Sequence, residues 1–204
     1  MKLEKDPLNI IIAGVGGQGN IMASLLLGRL LVAKGYQVII GETYGASQRG
    51  GSVMSHIRVT NKGEVSPIIP KGKADFIIAL EPAEALRVMS EYGNPDVRVI
   101  SNTRPIYPVD VITGALEYPD IDDLKEIIEK NSKEAKFIDA TEMALKVKTP
   151  ILANIIMLGA FSAWHALPLE YSDFEEAIRE QVPEKHLVKN IEAFKEGVKA
   201  VAAH

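Results

Sequence analysis

Asn9-Ile10-Ile11-Ile12-Ala13-Gly14-Val15-Gly16-Gly17-Gln18-Gly19-Asn20 is an apolar run of strand length that ends in glycines and passes to a residue that caps helices. The apolar part, Leu8–Ala13, has no polar face, so it predicts a strand buried on both sides. Asn20 is placed to cap a helix running to about Lys34, and Gly35 is placed to stop it. Leu25, Leu26, Leu30 and Val32 make that helix apolar on more than one side, as a helix packed on a sheet requires. The order is repeated at Gln37–Ile40, an apolar run followed by the polar, glycine-rich stretch Glu42-Thr43-Tyr44-Gly45-Ala46-Ser47-Gln48-Arg49-Gly50-Gly51-Ser52. Two strands that each end in such a loop predict an α/β sheet with both loops at the carboxyl edge, where these sheets bind ligands and partners.

Outward from this core the same alternation continues. Val53–Val59 sets Val53, Ser55, Ile57 and Val59 against Met54, His56 and Arg58, which predicts a half-exposed strand. Asn61-Lys62-Gly63 predicts a hairpin turn leading to a partner strand at Glu64–Ile69. Asp75–Leu80 and Val97–Ser101 read as buried strands, with a helix opened by Pro82 and ending near Tyr92. Asp120–Asn131 carries Ile121, Leu124, Ile127 and Ile128 at helical spacing, and Phe137–Asp139 is short and strand-like. Thr149-Pro150 opens a helix expected to reach Ala166, Ser172-Asp173-Phe174-Glu175 reads as a capping box, and the last helix aligns Leu187, Ile191, Phe194, Val198 and Val201. The expected fold class is α/β, a doubly wound, mostly parallel sheet with helices on both faces and a helical C-terminal third. That third has more apolar surface than one sheet face needs, so part of it is expected to cover a partner. No repeat or linker divides residues 1–204, which read as one domain.

Composition excludes several function classes. The 204 residues carry a formal net charge of -4 with scattered basic residues, which argues against nucleic-acid binding. There is no cysteine, so the chain forms no disulfide and lacks the usual ligands of an iron–sulfur cluster. Absent cysteine fits a cytoplasmic protein. Met1–Pro7 is too charged for a signal peptide. The longest apolar stretch, Ile151–Leu167, holds Asn154, Ser162 and His165 and reads as a buried helix, not a membrane span.

Gly14-x-Gly16-x-x-Gly19 follows a strand and opens a helix, with Glu42 ending the next strand, which is the setting of a dinucleotide fingerprint. Gly14, Gly16, Gly17, Gln18 and Gly19 would let a phosphate approach backbone N–H groups, and Glu42 would accept from a ribose hydroxyl. The same glycines also serve a tight strand-to-helix turn that binds nothing. Ser47, Gln48 and Arg49 offer donors beside Gly50 and Gly51, suited to a phosphate or carboxylate, or equally to docking on a partner. His56, His165, His186 and His204 share no metal-ligand spacing, and His165 reads as a packed or interface residue. Met157 and Trp164 read as core, and Asp122, Asp123, Glu126 and Glu129 as a solvated helix face. No catalytic residue or metal ligand is assigned.

Gly14–Gly19, Gly41-Glu42-Thr43-Tyr44-Gly45 and Gln48-Arg49-Gly50-Gly51-Ser52-Val53 together resemble the small (beta) subunit of the indolepyruvate:ferredoxin oxidoreductases. More broadly they are similar to the gamma domain of 2-oxoacid:ferredoxin oxidoreductases. Ala115–Asp120, Ala153–Ala160 and Asn190–Phe194 agree, so the resemblance runs from about Asn9 to the C-terminal helix. It implies one gamma-type domain over residues 1–204 that shares in oxidative decarboxylation of an aryl 2-oxoacid to an aryl-acetyl-CoA, carbon dioxide and reduced ferredoxin. It further implies that thiamine diphosphate, magnesium and [4Fe-4S] clusters lie on a large partner subunit, that ferredoxin is reached through that complex, and that coenzyme A binds at a shared site. It also weighs against a nicotinamide or flavin in the glycine loop, since the gamma domain is not known to carry either. The remaining alternatives are a gamma subunit for pyruvate or another 2-oxoacid, a dinucleotide-binding oxidoreductase, and a non-catalytic scaffold subunit.

Overall fold

The computed structural model describes residues 3–45 and 51–202. Six strands form one sheet: β1 (Leu8–Val15), β2 (Gln37–Tyr44), β3 (Ser52–Thr60), β4 (Phe76–Ala79), β5 (Arg98–Asn102) and β6 (Glu134–Ile138). The order is β2-β3-β1-β4-β5-β6. Strands β1, β4, β5 and β6 pair in parallel, whereas β3 runs antiparallel to both of its neighbours, β1 and β2. The sheet is thus mostly parallel, as its sequence pattern predicts, with one reversed strand in the interior.

The helices are α1 (Asn20–Ala33), α2 (Pro82–Tyr92), α3 (Val109–Ile112), α4 (Ile121–Lys130), α5 (Ala140–Lys146), α6 (Ala153–Ser162), α7 (Tyr171–Gln181) and α8 (Glu184–Ala202). Strand β1 shows why they occupy both faces. Its Ile10 and Ile12 enter the larger core under α1, α6 and α8, while Ile11 and Ala13 enter a second core with Val88 and Met89 of α2 and Ile128 of α4. Apart from Asn9, whose side chain is buried and hydrogen-bonded, the strand offers only apolar side chains and has no solvated face, so each face must be covered.

Several elements differ from the sequence expectation. Strand β3 is buried along nearly its whole length rather than half exposed. Its polar side is covered by the segment 64–70, which is not a strand and pairs with no hairpin partner. Arg58 donates to Asn9 Oδ1 (3.0 Å) and to the Ser66 carbonyl (2.9 Å), and the Ile69 N–H donates to His56 Nδ1 (3.4 Å). Buried polar groups paired in this way give the same alternation as a solvated face. The hairpin partner of β3 is instead β2, in register from Gln37↔Thr60 to Tyr44↔Val53.

In the C-terminal third, a short 3-10 turn at Pro150–Leu152 precedes α6, which stops at Ser162 instead of reaching Ala166. His165 lies beyond that end, exposed and at φ 48°, close to Tyr171. Helix α7 begins earlier than the Ser172 signal: Glu170 is its cap, and the Asp173 carboxylate accepts from the Glu170 N–H (2.8 Å). From Asn154 to Ser162 helix α6 is buried all round, with α8 packed across it. Much of the apolar surplus of this third therefore covers another helix of the same chain. Met157 is fully buried, and the Trp164 indole donates to Glu134 (2.7 Å). Among the described residues, no helix is long and apolar enough to cross a membrane.

Candidate functional site

The carboxyl ends of β1 and β2 and the start of β3 meet at one edge of the sheet. Val15 faces Ser52 and Tyr44 faces Val53 in the paired strands, the Gly16 N–H donates to the Gly51 carbonyl (2.8 Å), and the Gly45 N–H donates to Ser52 O (2.7 Å). The glycine loop and the end of β2 therefore lie side by side, as their sequence order predicts. Between them opens a cleft of about 670 Å³. Gly16, Gly17 and Gly19 form part of its wall, and Val15, Ile21, Tyr44, Val53 and Ile151 supply apolar surface. Of this lining Ile21, Tyr44 and Ile151 are exposed, and Met22 and Leu25 of α1 are exposed as well.

The loop holds its shape through its own residues. Gly17 and Gly19 sit at φ 104° and 83°, the left-handed region that glycine enters without strain. Gly19, not Asn20, is the cap residue of α1. Gln18 is built into the loop: its Oε1 accepts from the Val15 N–H (2.8 Å) and its Nε2 donates to the Leu80 carbonyl (2.7 Å). Its amide thus ties the end of β1 to the end of β4 and is not displayed toward the cleft. Asn20 is buried, with Nδ2 donating to the Val53 carbonyl (3.0 Å) and Oδ1 without a partner among the described residues. Asn154, at the start of α6, donates to the Gly19 carbonyl (3.1 Å), so a helix some 130 residues downstream (135 positions apart) closes the loop from behind.

Glu42 stands apart from the cleft. Its two carboxylate oxygens accept from Ser24 of α1 (3.1 Å) and Ser55 of β3 (2.7 Å). The strand order explains why. In a dinucleotide fold the strand carrying the acidic residue lies next to the first strand. Here β3 intervenes, so Glu42 is two strands from β1, or roughly 10 Å at the usual spacing. The geometry of the dinucleotide reading is absent. Ser47, Gln48 and Arg49 lie outside the described residues.

Farther along the same edge, Glu81 follows β4 and is 2% exposed. It caps α2 by accepting from the Glu84 N–H (2.8 Å), and its other oxygen accepts from the Ile106 N–H (3.3 Å) and the Tyr118 hydroxyl. Burial pushes the Glu81 pKa up, against the lowering effect of those three donors; burial and the adjacent carboxylate also push the Tyr118 phenol up. Ser52 donates to Glu84, which joins the start of β3 to α2. Nothing in the local sequence pattern marks Glu81 as a site residue. A lone glutamate directly before Pro82 reads as a surface residue, and only the long-range return of Tyr118 reveals its role.

Among the described residues no group of three or more His, Asp or Glu is placed to hold a metal ion. Among the described residues, the arrangement offers a mostly apolar cleft with the glycine-loop backbone on one wall and no cluster of acids, bases or nucleophiles in its lining.

The chain is 40% identical over 194 residues to "Indolepyruvate oxidoreductase subunit IorB" of Thermococcus kodakarensis, covering 94% of this chain and 95% of that one. Two proteins of Archaeoglobus fulgidus separate clearly: identity is 39% over 191 residues to its "Indolepyruvate oxidoreductase subunit IorB", covering 93% of each, and 26% over 191 residues to its "2-oxoglutarate synthase subunit KorC", covering 93% and 86%. The solved keto/oxoacid ferredoxin oxidoreductase gamma subunit from Geobacter sulfurreducens has the same fold, with a TM-score of 0.69, 22% identity, and coverage of 97% of this chain and 99% of that one. The pattern of the family described as pyruvate ferredoxin/flavodoxin oxidoreductase matches residues 9–200, nearly the whole α/β unit just described, and the chain belongs to that family.

Proposed function

We propose that this chain is the small subunit of a thiamine-dependent indolepyruvate (aryl 2-oxoacid):ferredoxin oxidoreductase, acting as one gamma-type domain over residues 1–204. The observation that carries this reading is the identity contrast within one organism, 39% against 26%, over the same length of chain. The reaction is oxidative decarboxylation of the 2-oxoacid with coenzyme A, giving the aryl-acetyl-CoA and carbon dioxide while ferredoxin is reduced. Thiamine diphosphate, magnesium and [4Fe-4S] clusters sit on the large partner subunit. The donor set here supports that division, since the chain has no cysteine and thiolates are the usual cluster ligands. Ferredoxin meets the complex through the large subunit, in the cytoplasm.

This chain's share of the site is the carboxyl-edge cleft with Ser47, Gln48 and Arg49, placed at the boundary with the large subunit and facing coenzyme A. The apolar surface of Ile21, Tyr44, Val53 and Ile151 suits a ring or an alkyl arm, and the glycine N–H groups with the Arg49 fork suit phosphate. Gly14 and Gln18 shape the loop, and Glu42 orders the layer between α1 and β3.

The test is reconstitution. Purified alone, the chain gives no turnover with indolepyruvate, coenzyme A, thiamine diphosphate and a viologen acceptor; mixed with the large subunit it restores turnover. Turnover by the isolated chain, or a complex that prefers 2-oxoglutarate or pyruvate to indolepyruvate, overturns the reading.

A further inference from the structure

Residues 103–120, between β5 and α4, behave unlike the rest of the molecule. Their backbone is closed on itself: the Ile112 N–H donates to the Pro108 carbonyl (3.0 Å), the Thr113 N–H to Val109 O (2.8 Å) and the Ala115 N–H to Asp110 O (2.8 Å). Helix α3 lies within this segment and buries none of its residues. The apolar side chains point away from the core instead. Val109 is 72% exposed, Ile112 73% and Leu116 62%, with Tyr107 and Ile106 also exposed beside them.

The segment is nonetheless fixed to the sheet. Its two ends converge on buried Glu81, one through the Ile106 N–H and the other through the Tyr118 hydroxyl, which also accepts from the Ala83 N–H (3.2 Å). Tyr107 packs edge-on against Tyr118, with ring centroids 5.2 Å apart. A protrusion held this way presents its apolar residues with little entropy left to lose on contact. It stands at the same sheet edge as the cleft, beyond the carboxyl end of β5, which runs parallel to β4 and β1.

Charge distinguishes the possible occupants. Residues 103–123 contain one cation, Arg104, and five carboxylates, Asp110, Glu117, Asp120, Asp122 and Asp123, so their formal charge of -4 equals that of the whole chain. Asp120 caps α4, and Asp122 and Asp123 complement its N-terminus, yet all three remain exposed. The remainder of the chain is neutral by the same count. Two copies meeting here would set like charges face to face, and an anionic surface would be repelled.

We propose that this protrusion is a docking surface for an apolar groove rimmed with basic residues on a different subunit. The proposal rests on the reading that the chain assembles with a large partner. Ile112, Leu116 and Val109 fill the groove, and Asp110 and Glu117 face its cationic rim. An apolar centre within a charged border is the usual anatomy of such contacts.

The experiment measures association of the full chain with the large subunit by surface plasmon resonance at several salt concentrations. Ile112→Ser combined with Leu116→Ser is expected to weaken binding by roughly thirtyfold or more, as loss of central anchors does. Val188→Ser, at an exposed position on α8, leaves binding unchanged. Asp110→Asn with Glu117→Gln slows association and flattens its salt dependence. Circular dichroism and urea midpoints confirm that the variants fold, as substitutions at such exposed positions permit. Wild-type binding by the Ile112/Leu116 variant, or association indifferent to salt and to the neutralised carboxylates, overturns the proposal. Self-association of the isolated chain that the same variant abolishes assigns the surface to a second copy and also overturns it. A wild-type chain that fails to bind the large subunit at all defeats the proposed function itself, a result distinct from normal assembly by every variant.

Discussion

Gln18 illustrates how a residue read as a ligand donor can be a structural one. Within a glycine loop its amide looks available, but one end receives the Val15 N–H and the other reaches the Leu80 carbonyl on the adjoining strand. The positions of the loop were legible from the glycines alone. The role of Gln18 was not, because its partner lies 62 residues away and carries no side-chain signal. Gln18→Ala leaves the Val15 N–H without its partner, whereas the Leu80 carbonyl keeps the Asn102 amide (3.0 Å). The expected loss is about 1–3 kcal/mol of stability, read from the urea midpoint. His56 makes a second case. It is fully buried, and burial lowers its pKa from the ordinary value, only partly opposed by Glu91. The folded state therefore binds a proton less readily than the unfolded chain. Stability holds above the unfolded value near 6.5 and declines as pH falls below it toward the depressed folded value. His56→Gln keeps an acceptor for the Ile69 N–H without a titrating ring, so its urea midpoint should change less than wild type between about pH 7.5 and 5.5. Equal pH dependence in the two proteins would show that His56 is not the group responsible.

At the scale of elements, periodicity located most strands and helices, and its failures share one cause. Strand β3 alternates polar and apolar residues like a half-solvated strand, yet Arg58 and His56 face inward to a segment that bonds to them. Local pattern records polarity, not whether the polar partner is water or protein. The reversal of β3 between β1 and β2 had one signal in the sequence: the connection from Tyr44 to Ser52 is short and has no helical pattern, which suits a hairpin, whereas a parallel crossover needs about a dozen residues or more. The α6–α8 pair, by contrast, depends on two glycines whose meaning only packing shows. A methyl group on Gly159 would collide with the Phe194 carbonyl, and one on Gly197 with the Ile156 carbonyl. Each glycine lets one helix backbone rest directly on the other. Gly197→Ala gains helix propensity but forces these backbones apart, and the overpacking cost of about 1–3 kcal/mol or more outweighs it. Val188→Ala on the exposed side of α8 should stay within about 0.5 kcal/mol of wild type. Parallel urea titrations of the two variants test this, and an unchanged midpoint for Gly197→Ala would mean that the helices can part at little cost.

Across the whole molecule, three distant parts of the chain build the cleft: the loop after β1, the end of β2 with the start of β3, and Ile151 ahead of α6. Sequence order placed the first two at one edge, and the third enters because Asn154 binds the Gly19 carbonyl. The cleft's apolar character was not foreseen, because the loops that announce it are polar, while Ile151 reads as part of a buried helix and nothing in the pattern singles out Ile21. This composition separates two uses of the edge that the sequence left even. If the cleft faces coenzyme A, Tyr44→Ala removes apolar contact and Arg49→Ala removes a charge-assisted one. The latter usually costs about 1.5–3 kcal/mol, or roughly a ten- to hundredfold rise in the Michaelis constant for coenzyme A. Arg49→Lys keeps the charge but loses the paired geometry, and should recover only part of the loss. Tyr44 is 61% exposed, so its replacement leaves the core intact. The reconstituted complex is assayed with coenzyme A varied at saturating indolepyruvate, and subunit association is measured on the same preparations. The expected outcome is a raised constant for both alanine variants with assembly unchanged. Weakened assembly with an unchanged constant makes the cleft a docking surface, joined along one edge to the apolar protrusion after β5, and withdraws coenzyme A from this chain.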